Sequence, residues 1–433
     1  MAFDTVIDKA RLETAMTASA NAIREKTGST EPIAWHPDKG FAEAITSIET
    51  GGGGSADEEW FNDGNTHVWI SLQEGRTSPM LGVCPNGTVT VDWGDGTTPD
   101  VLTGTSTSSV KWTPTHNYAE PGDYVITLTV DGKMGFYGES GTNKGSGILR
   151  YSSDSDARNQ VYKSSVHKVE IGNGISSIND RSFFECYSLS SVFIPDGVAS
   201  IGSLAFYGCY PLTRIVIPDS VISIGNNAFA ACSSLTSIVI PDGVTSIGDT
   251  TFSSCTSLAS IGLPDGLTSI GSDAFKGCQS LASIVIPEGV TSIDSSAFYG
   301  CYSLTSIVIP DSVTYIGNSA FGACYSLANI EFPKGVTTIM SYLAEDCKSL
   351  ASVVFKGSVG EIRTGAFARN SGVKYYDFTA CATVPALSST NVFSGKAADL
   401  EIRVPAALYD EWIAETNWSS IESCIKAGQG GIA

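Results

Sequence analysis

Cysteine recurs at positions 186, 209, 232, 255, 278, 301, 324 and 347, each time 23 residues after the last. Other rows keep the same step. Phenylalanine stands three residues before each Cys from Phe183 to Phe321, leucine three after from Leu189 to Leu350, and proline at 195, 218, 241, 264, 287, 310 and 333. A unit this short cannot enclose a core by itself. Its apolar side chains are buried only by stacking on the next unit, so a constant period in the twenties dictates a solenoid.

Within each unit the word Leu-x-x-Ile-x-Ile, as in Ile215-Val216-Ile217 and Ile284-Val285-Ile286, has a period of two. It predicts a short strand whose flanking residues point inward while the middle one points out. Proline ends that strand because it has no N–H for the ladder. Asp-Gly or Asp-Ser then turns the chain, and a second apolar pair such as Val244 and Ile247 enters the core. Similar strand words at Val169-Glu170-Ile171, Val353-Val354-Phe355, Tyr376-Asp377-Phe378 and Ile402-Arg403-Val404 extend the array to about ten or eleven coils, roughly 50 Å long at about 4.8 Å per strand.

The run LTSIVIPDGVTSIGDTTFSSC and its neighbours resemble the BspA-like subfamily of leucine-rich repeats. The resemblance covers more than half of the chain. Members are chiefly surface or secreted adhesins, so it implies recognition of a macromolecule. We place the repeat solenoid at residues 161–383 and a terminal cap at 384–433, which contains Val404-Pro405-Ala406-Ala407-Leu408-Tyr409 and Trp412. Such a cap is needed because the last coil otherwise exposes its core.

The rest of the chain differs in composition. Residues 1–50 read as two short amphipathic helices, the first with Ile7, Leu12, Met16 and Ile23 on one stripe and the second with Phe41 and Ile45. Short helices of this kind need a partner, so we expect assembly or oligomerisation through these residues. A Gly-rich acidic linker follows at 51–59. From 60 to 132, Val68-Trp69-Ile70, Val89-Thr90-Val91 and Tyr124-Val125-Ile126 alternate as strands between turns, the pattern of a small β-sandwich. The words Trp93-Gly94-Asp95-Gly96, His116-Asn117-Tyr118 and Pro121-Gly122-Asp123-Tyr124 resemble PKD-type immunoglobulin-like domains, which implies a spacer or adhesive module. Residues 133–160 are polar and Gly-rich, a connecting segment. The fold class is therefore multidomain and mainly β, with N-terminal helices, an immunoglobulin-like β-sandwich and a leucine-rich-repeat solenoid.

A formal charge of −20 disfavours nucleic acid and anionic membrane as partners, while also serving solubility. No run of apolar residues is long enough to span a bilayer, and the first residues lack the apolar core of a signal peptide. No cofactor or metal is expected. The repeat cysteines contain no CxxC pair, and His36, His67, His116 and His167 all precede them, so a buried thiol row is preferred to a zinc site. Asp92, Asp95 and Asp100 fit either a calcium site or a self-bonded turn. Neither a nucleophile beside a base nor paired carboxylates stand out, so we expect no catalysis.

Two sets of positions are candidates for ligand binding. Phe193, Val216, Val239, Val285 and Val308 occupy the outward position of the repeat strand, where an apolar stripe either contacts a partner or simply suits a strand. Tyr187, Tyr207, Tyr210, Tyr299, Tyr302 and Tyr325 flank the cysteines, as recognition groups or as edge packing. Residues 1–50 also resemble the attachment segment of tail-associated proteins from phages of Gram-positive gut bacteria. That resemblance implies a virion protein that binds a bacterial surface receptor, protein or glycan, and joins other tail proteins. The alternatives are a bacterial BspA-like surface adhesin and an accessory binding module of a carbohydrate-active enzyme.

Overall fold

The structure, a computed structural model, describes residues 60–74, 77–105, 114–136, 149–150 and 164–428. The helices expected within residues 1–50, with Ile7, Leu12, Met16, Ile23, Phe41 and Ile45, and the linker at 51–59 lie outside the described residues.

From residue 164 onward the chain winds as a β-solenoid of about 11 turns. Each turn contributes to two parallel ladders. The first is built from the Ile-x-Ile words: Ser237–Val239 pairs with Ser260–Gly262, and Asn329–Phe332 with Ser352–Phe355, residue for residue at a 23-residue offset. In the second ladder Ser246–Ile247, Ser269–Ile270, Ser292–Ile293 and Tyr315–Ile316 pair in sequence. The sequence supplies this ladder with a buried Ile and a more exposed Ser or Tyr in alternation, too short a run to announce itself as a strand. Between the two ladders the Ala-Phe-x-x-Cys turn binds forward, with the Phe275 N–H donating to the Ala297 carbonyl and the Phe298 N–H to that of Ala320.

The core follows from the rows. Phe183, Phe206, Phe229, Phe252, Phe275, Phe298 and Phe321 are fully buried and stack ring on ring with centroids 5.1–5.7 Å apart. Beside them run the cysteines, all buried, each thiol from Cys209 to Cys347 donating to the carbonyl of a Phe 26 residues earlier, as Cys278 Sγ does to Phe252 O at 3.1 Å. The turns need left-handed backbone at two places per coil. One row runs through Leu204, Asn227, Thr250, Asp273 and Ser296, the other through Gly208, Ala231, Ser254, Gly277 and Gly300, all with φ between 54° and 73°.

Residues 60–136 form β1 (Thr66–Leu72), β2 (Met80–Leu81), β3 (Val83–Asp92), β4 (Asp100–Thr105) and β5 (Gly122–Phe136). β5 continues to Phe136, past the expected domain end at 132, because its far half pairs with Val83–Gly87 of β3. Within the expected connecting segment, β6 (Leu149–Arg150) pairs antiparallel with β2. The main strands do not stand apart from the repeats. β1 pairs antiparallel with β7 (Val166–Glu170), which pairs in parallel with β9 (Ser191–Phe193), the intervening β8 (Ser177–Ile178) belonging to the second ladder. The result is one six-stranded sheet, in order β4-β3-β5-β1-β7-β9. Phe136 meets Phe183 at 5.2 Å, so the core is continuous from this sheet into the first coil. Among the described residues the expected two-sheet sandwich is not seen: apart from this sheet, residues 60–150 form only the two-stranded β2–β6 pair.

At the other end, Glu401–Pro405 and Ile425–Gly428 add two more rungs to the first ladder. The helix α1 (Tyr409–Ala414) crosses the end of the solenoid. Trp412 and Trp418 are fully buried there against Phe378 and each other, which closes the open core. Among the described residues no helix is long and apolar enough to cross a membrane.

Candidate recognition surface

The outward stripe on the first ladder is only partly continuous. Val216, Val285 and Val308 are 59%, 50% and 65% exposed, and Val285 and Val308 are direct parallel neighbours. Val239 is half-buried and lies beside Gly262, where a missing side chain breaks the row. Phe193 is set apart from the others: the Trp60 ring packs on it at 5.7 Å, and Lys168 sits 4.0 Å above Trp60. The expected stripe therefore divides into a covered end at Phe193 and an exposed patch centred on Val285 and Val308.

The tyrosines fall into three groups. Tyr187 and Tyr210 stack at 5.4 Å, and burial pushes the Tyr187 phenol up from its ordinary value. Tyr207 stacks on Phe184 at 5.1 Å. Tyr302 stacks on Tyr325 at 4.7 Å, and Lys348 Nζ lies 4.2 Å over the Tyr325 ring. Tyr299 and Tyr302, each about 40% exposed, wall a surface cleft of about 310 Å³. Its other lining residues include Thr250, Ser253, Ser254, Asp273 and Lys276, which the repeat pattern alone does not single out. One sign was present in the sequence. The position before each Cys reads Glu, Gly, Ala, Ser, Gly, Gly, Ala, Asp, and the consecutive Gly277 and Gly300 fall at this cleft.

The N-terminal sheet holds two hydrogen-bonded polar groups. The three words of residues 93–124 converge: His116 stacks on Trp93 at 4.9 Å and meets Asp95 Oδ2 through Nε2 at 2.7 Å, while the Tyr118 hydroxyl donates to the Trp93 carbonyl. Burial pushes the Asp95 carboxyl up, but hydrogen bonds from Thr97 and His116 outweigh it and hold the group at about 2. Asp92 accepts from the Gly94 N–H, and Asp100 from the Trp93 indole. These carboxylates are spent on the turn and its Trp, and among the described residues no cluster fit to hold a metal ion forms. The second group joins Asp63, His67 and Thr127, with contacts of 3.0 and 3.1 Å to the two imidazole nitrogens. That order of groups has the connectivity of a nucleophilic triad. The imidazole, however, is 3% exposed and lies under the Phe61 ring at 4.3 Å, so it reads as a pin between β1, β5 and the preceding turn.

Short parallel strands stacked at a fixed repeat, with Phe, Cys, Leu and Ile of every turn in buried rows, define a leucine-rich-repeat protein. Residues 157–267 and 245–374 match the BspA type leucine rich repeat region in 6 copies, over half of the chain, and the chain belongs to that family. Among solved structures, a leucine-rich repeat protein from Bacteroides ovatus is 23% identical over 61% of this chain and 84% of that one, with a TM-score of 0.42. A leucine-rich repeat protein of T. pallidum is 36% identical over 35% of this chain and 73% of that one, TM-score 0.34. A leucine rich cell surface protein from Faecalibacterium prausnitzii is 31% identical over 54% of this chain and 78% of that one, TM-score 0.38. No curated protein matches the chain.

Proposed function

We propose that this protein is a non-enzymatic adhesin of a bacterial surface, whose solenoid presents a recognition face to a macromolecule on an opposing surface. The observation that carries this reading is the contrast between rows. Phe, Cys, Leu and Ile repeat with little change because they are buried, while the exposed positions break the repeat with aromatic and aliphatic side chains that are costly to leave in water unless they contact something. Membership of the BspA-type family supports the same reading. A tail-associated role rests on residues 1–50, outside the described residues, and no feature of the solenoid favours it over display on a cell.

Labelled full-length protein incubated with epithelial monolayers and, separately, with intact Gram-positive cells tests the proposal. Saturable binding to the monolayers, competed by unlabelled protein, is the expected result. Binding restricted to the bacteria favours the tail-protein alternative, and absence of saturable binding to both sinks the recognition role. Residues 1–50 are proposed as the assembly segment, and light scattering that finds the full chain monomeric counts against it.

A further inference from the structure

We propose that the cleft walled by Tyr299 and Tyr302 is a binding subsite for a neutral saccharide ring. This rests on the recognition role proposed above and gives it a location and a ligand class. The cleft measures about 310 Å³, at the lower end of the roughly 300–1,000 Å³ typical of small-ligand sites. Its walls combine the two things a sugar needs. The tyrosine rings offer flat faces for the apolar C–H side of a pyranose, and Thr250, Ser253, Ser254 and Asp273 offer hydroxyl and carboxylate oxygens for its rim. Lys276 is held by Asp273 at 3.1 Å, so the site contains a paired rather than a free cation, which suits a neutral ligand better than an anion.

The aromatic walls are held in place before any ligand arrives. Tyr325 stacks on Tyr302 and leaves the cleft side of that ring open. Tyr299 lies so close over Gly322 that a Cβ there would stand 2.9 Å from the ring, so the glycine is what lets the ring settle on the next coil. The cleft itself exists because Gly277 and Gly300 stand where other coils carry larger groups, as Glu185, Asp346 and Arg369 do. Rings fixed in advance lose little conformational entropy on binding.

Saturation-transfer NMR and calorimetry of the full chain with chitotriose, cellotriose, maltotriose and 3′-sialyllactose test the assignment, using Tyr299→Ala, Tyr302→Ala and Gly300→Arg. The last keeps the fold because Arg369 adopts the same left-handed backbone at the equivalent place in a later coil. Val101→Ala, an exposed residue on β4 outside the solenoid, serves as the control. At least one neutral trisaccharide is expected to bind, with affinity lost at least tenfold in all three cleft variants and unchanged in the control. Binding that the cleft variants leave intact, binding of sialyllactose alone, or no saccharide binding overturns the proposal. A wild-type chain that binds cells but no saccharide refutes the cleft and spares the adhesin reading, whereas one that binds neither refutes both.

Discussion

At the residue scale, the repeat makes burial easy to read and backbone strain hard. A Cys every 23 residues between Phe and Leu rows announces a small buried side chain, and burial pushes the thiols of Cys255, Cys301 and Cys347 up to about 12. Native protein at pH 8 is therefore expected to leave its repeat thiols unmodified by iodoacetamide, with labelling appearing only on unfolding, as intact mass will show. The neighbouring aromatic row carries more of the stability. Phe275→Ala removes a ring packed between two others and is expected to cost about 3–5 kcal/mol, against about 1–2 for Cys278→Ala, in chemical denaturation. The left-handed turn positions, by contrast, accept Leu, Thr, Ala and Tyr as well as Gly, so no residue type marks them in the sequence. Ala231 holds φ at 59° where Gly208 stands one coil earlier. Relief of about 1–2 kcal/mol of left-handed strain, less about 0.5–1 for glycine's extra chain entropy, predicts a gain of about 0.5–1 kcal/mol for Ala231→Gly and a similar loss for Gly208→Ala.

At the element scale, the 23-residue period made the parallel partners within the first ladder legible, whereas the partners of strands outside the repeats were not. The first ladder, β3 and β5 all follow from period-two words, but nothing in Val68-Trp69-Ile70 says that its neighbour is Val166–Glu170 across nearly a hundred residues. The pairing is physical: the first coil would otherwise expose an unpaired edge, and β1 covers it. The tyrosines illustrate the same limit, since a side chain's row was visible while the cleft formed by Tyr299, Tyr302, Lys276 and Thr250 depends on three successive turns lying in register. The turn between β3 and β4 carries a pH dependence that belongs to this sheet. Asp95 titrates at about 2 when folded and near 3.8 when free, so its contribution is fully present above pH 4 and is lost as pH falls toward 2. Allowing for solvent screening, that contribution is about 1 kcal/mol. Asp95→Asn is expected to flatten the stability profile between pH 4 and 2, and an unchanged profile by urea titration would refute the role given to the hydrogen bonds that Asp95 accepts from Thr97 and His116.

At the scale of the whole molecule, the chain is a stack closed at both ends: the six-stranded sheet seals the first coil and the Trp412–Trp418 pair seals the last. Between them each turn hydrogen-bonds to the turns beside it at a constant offset, so stability is close to a sum of like interfaces rather than the property of one core. That makes length adjustable and phase not. Deleting residues 210–232 removes one complete turn between Cys209 and Cys232 and brings Phe206 onto Phe252, with every row still in register. Such a chain is expected to fold with a cooperative melt and unchanged β-sheet circular dichroism, losing only the interface of one coil. Deleting residues 210–220 removes about half a turn and sets inward positions against outward ones along the remaining array. It is expected to yield aggregated or protease-sensitive protein at the same temperature. If the half-turn deletion folds as well as the full one, the coils do not depend on register, and the fixed 23-residue period loses its physical cause.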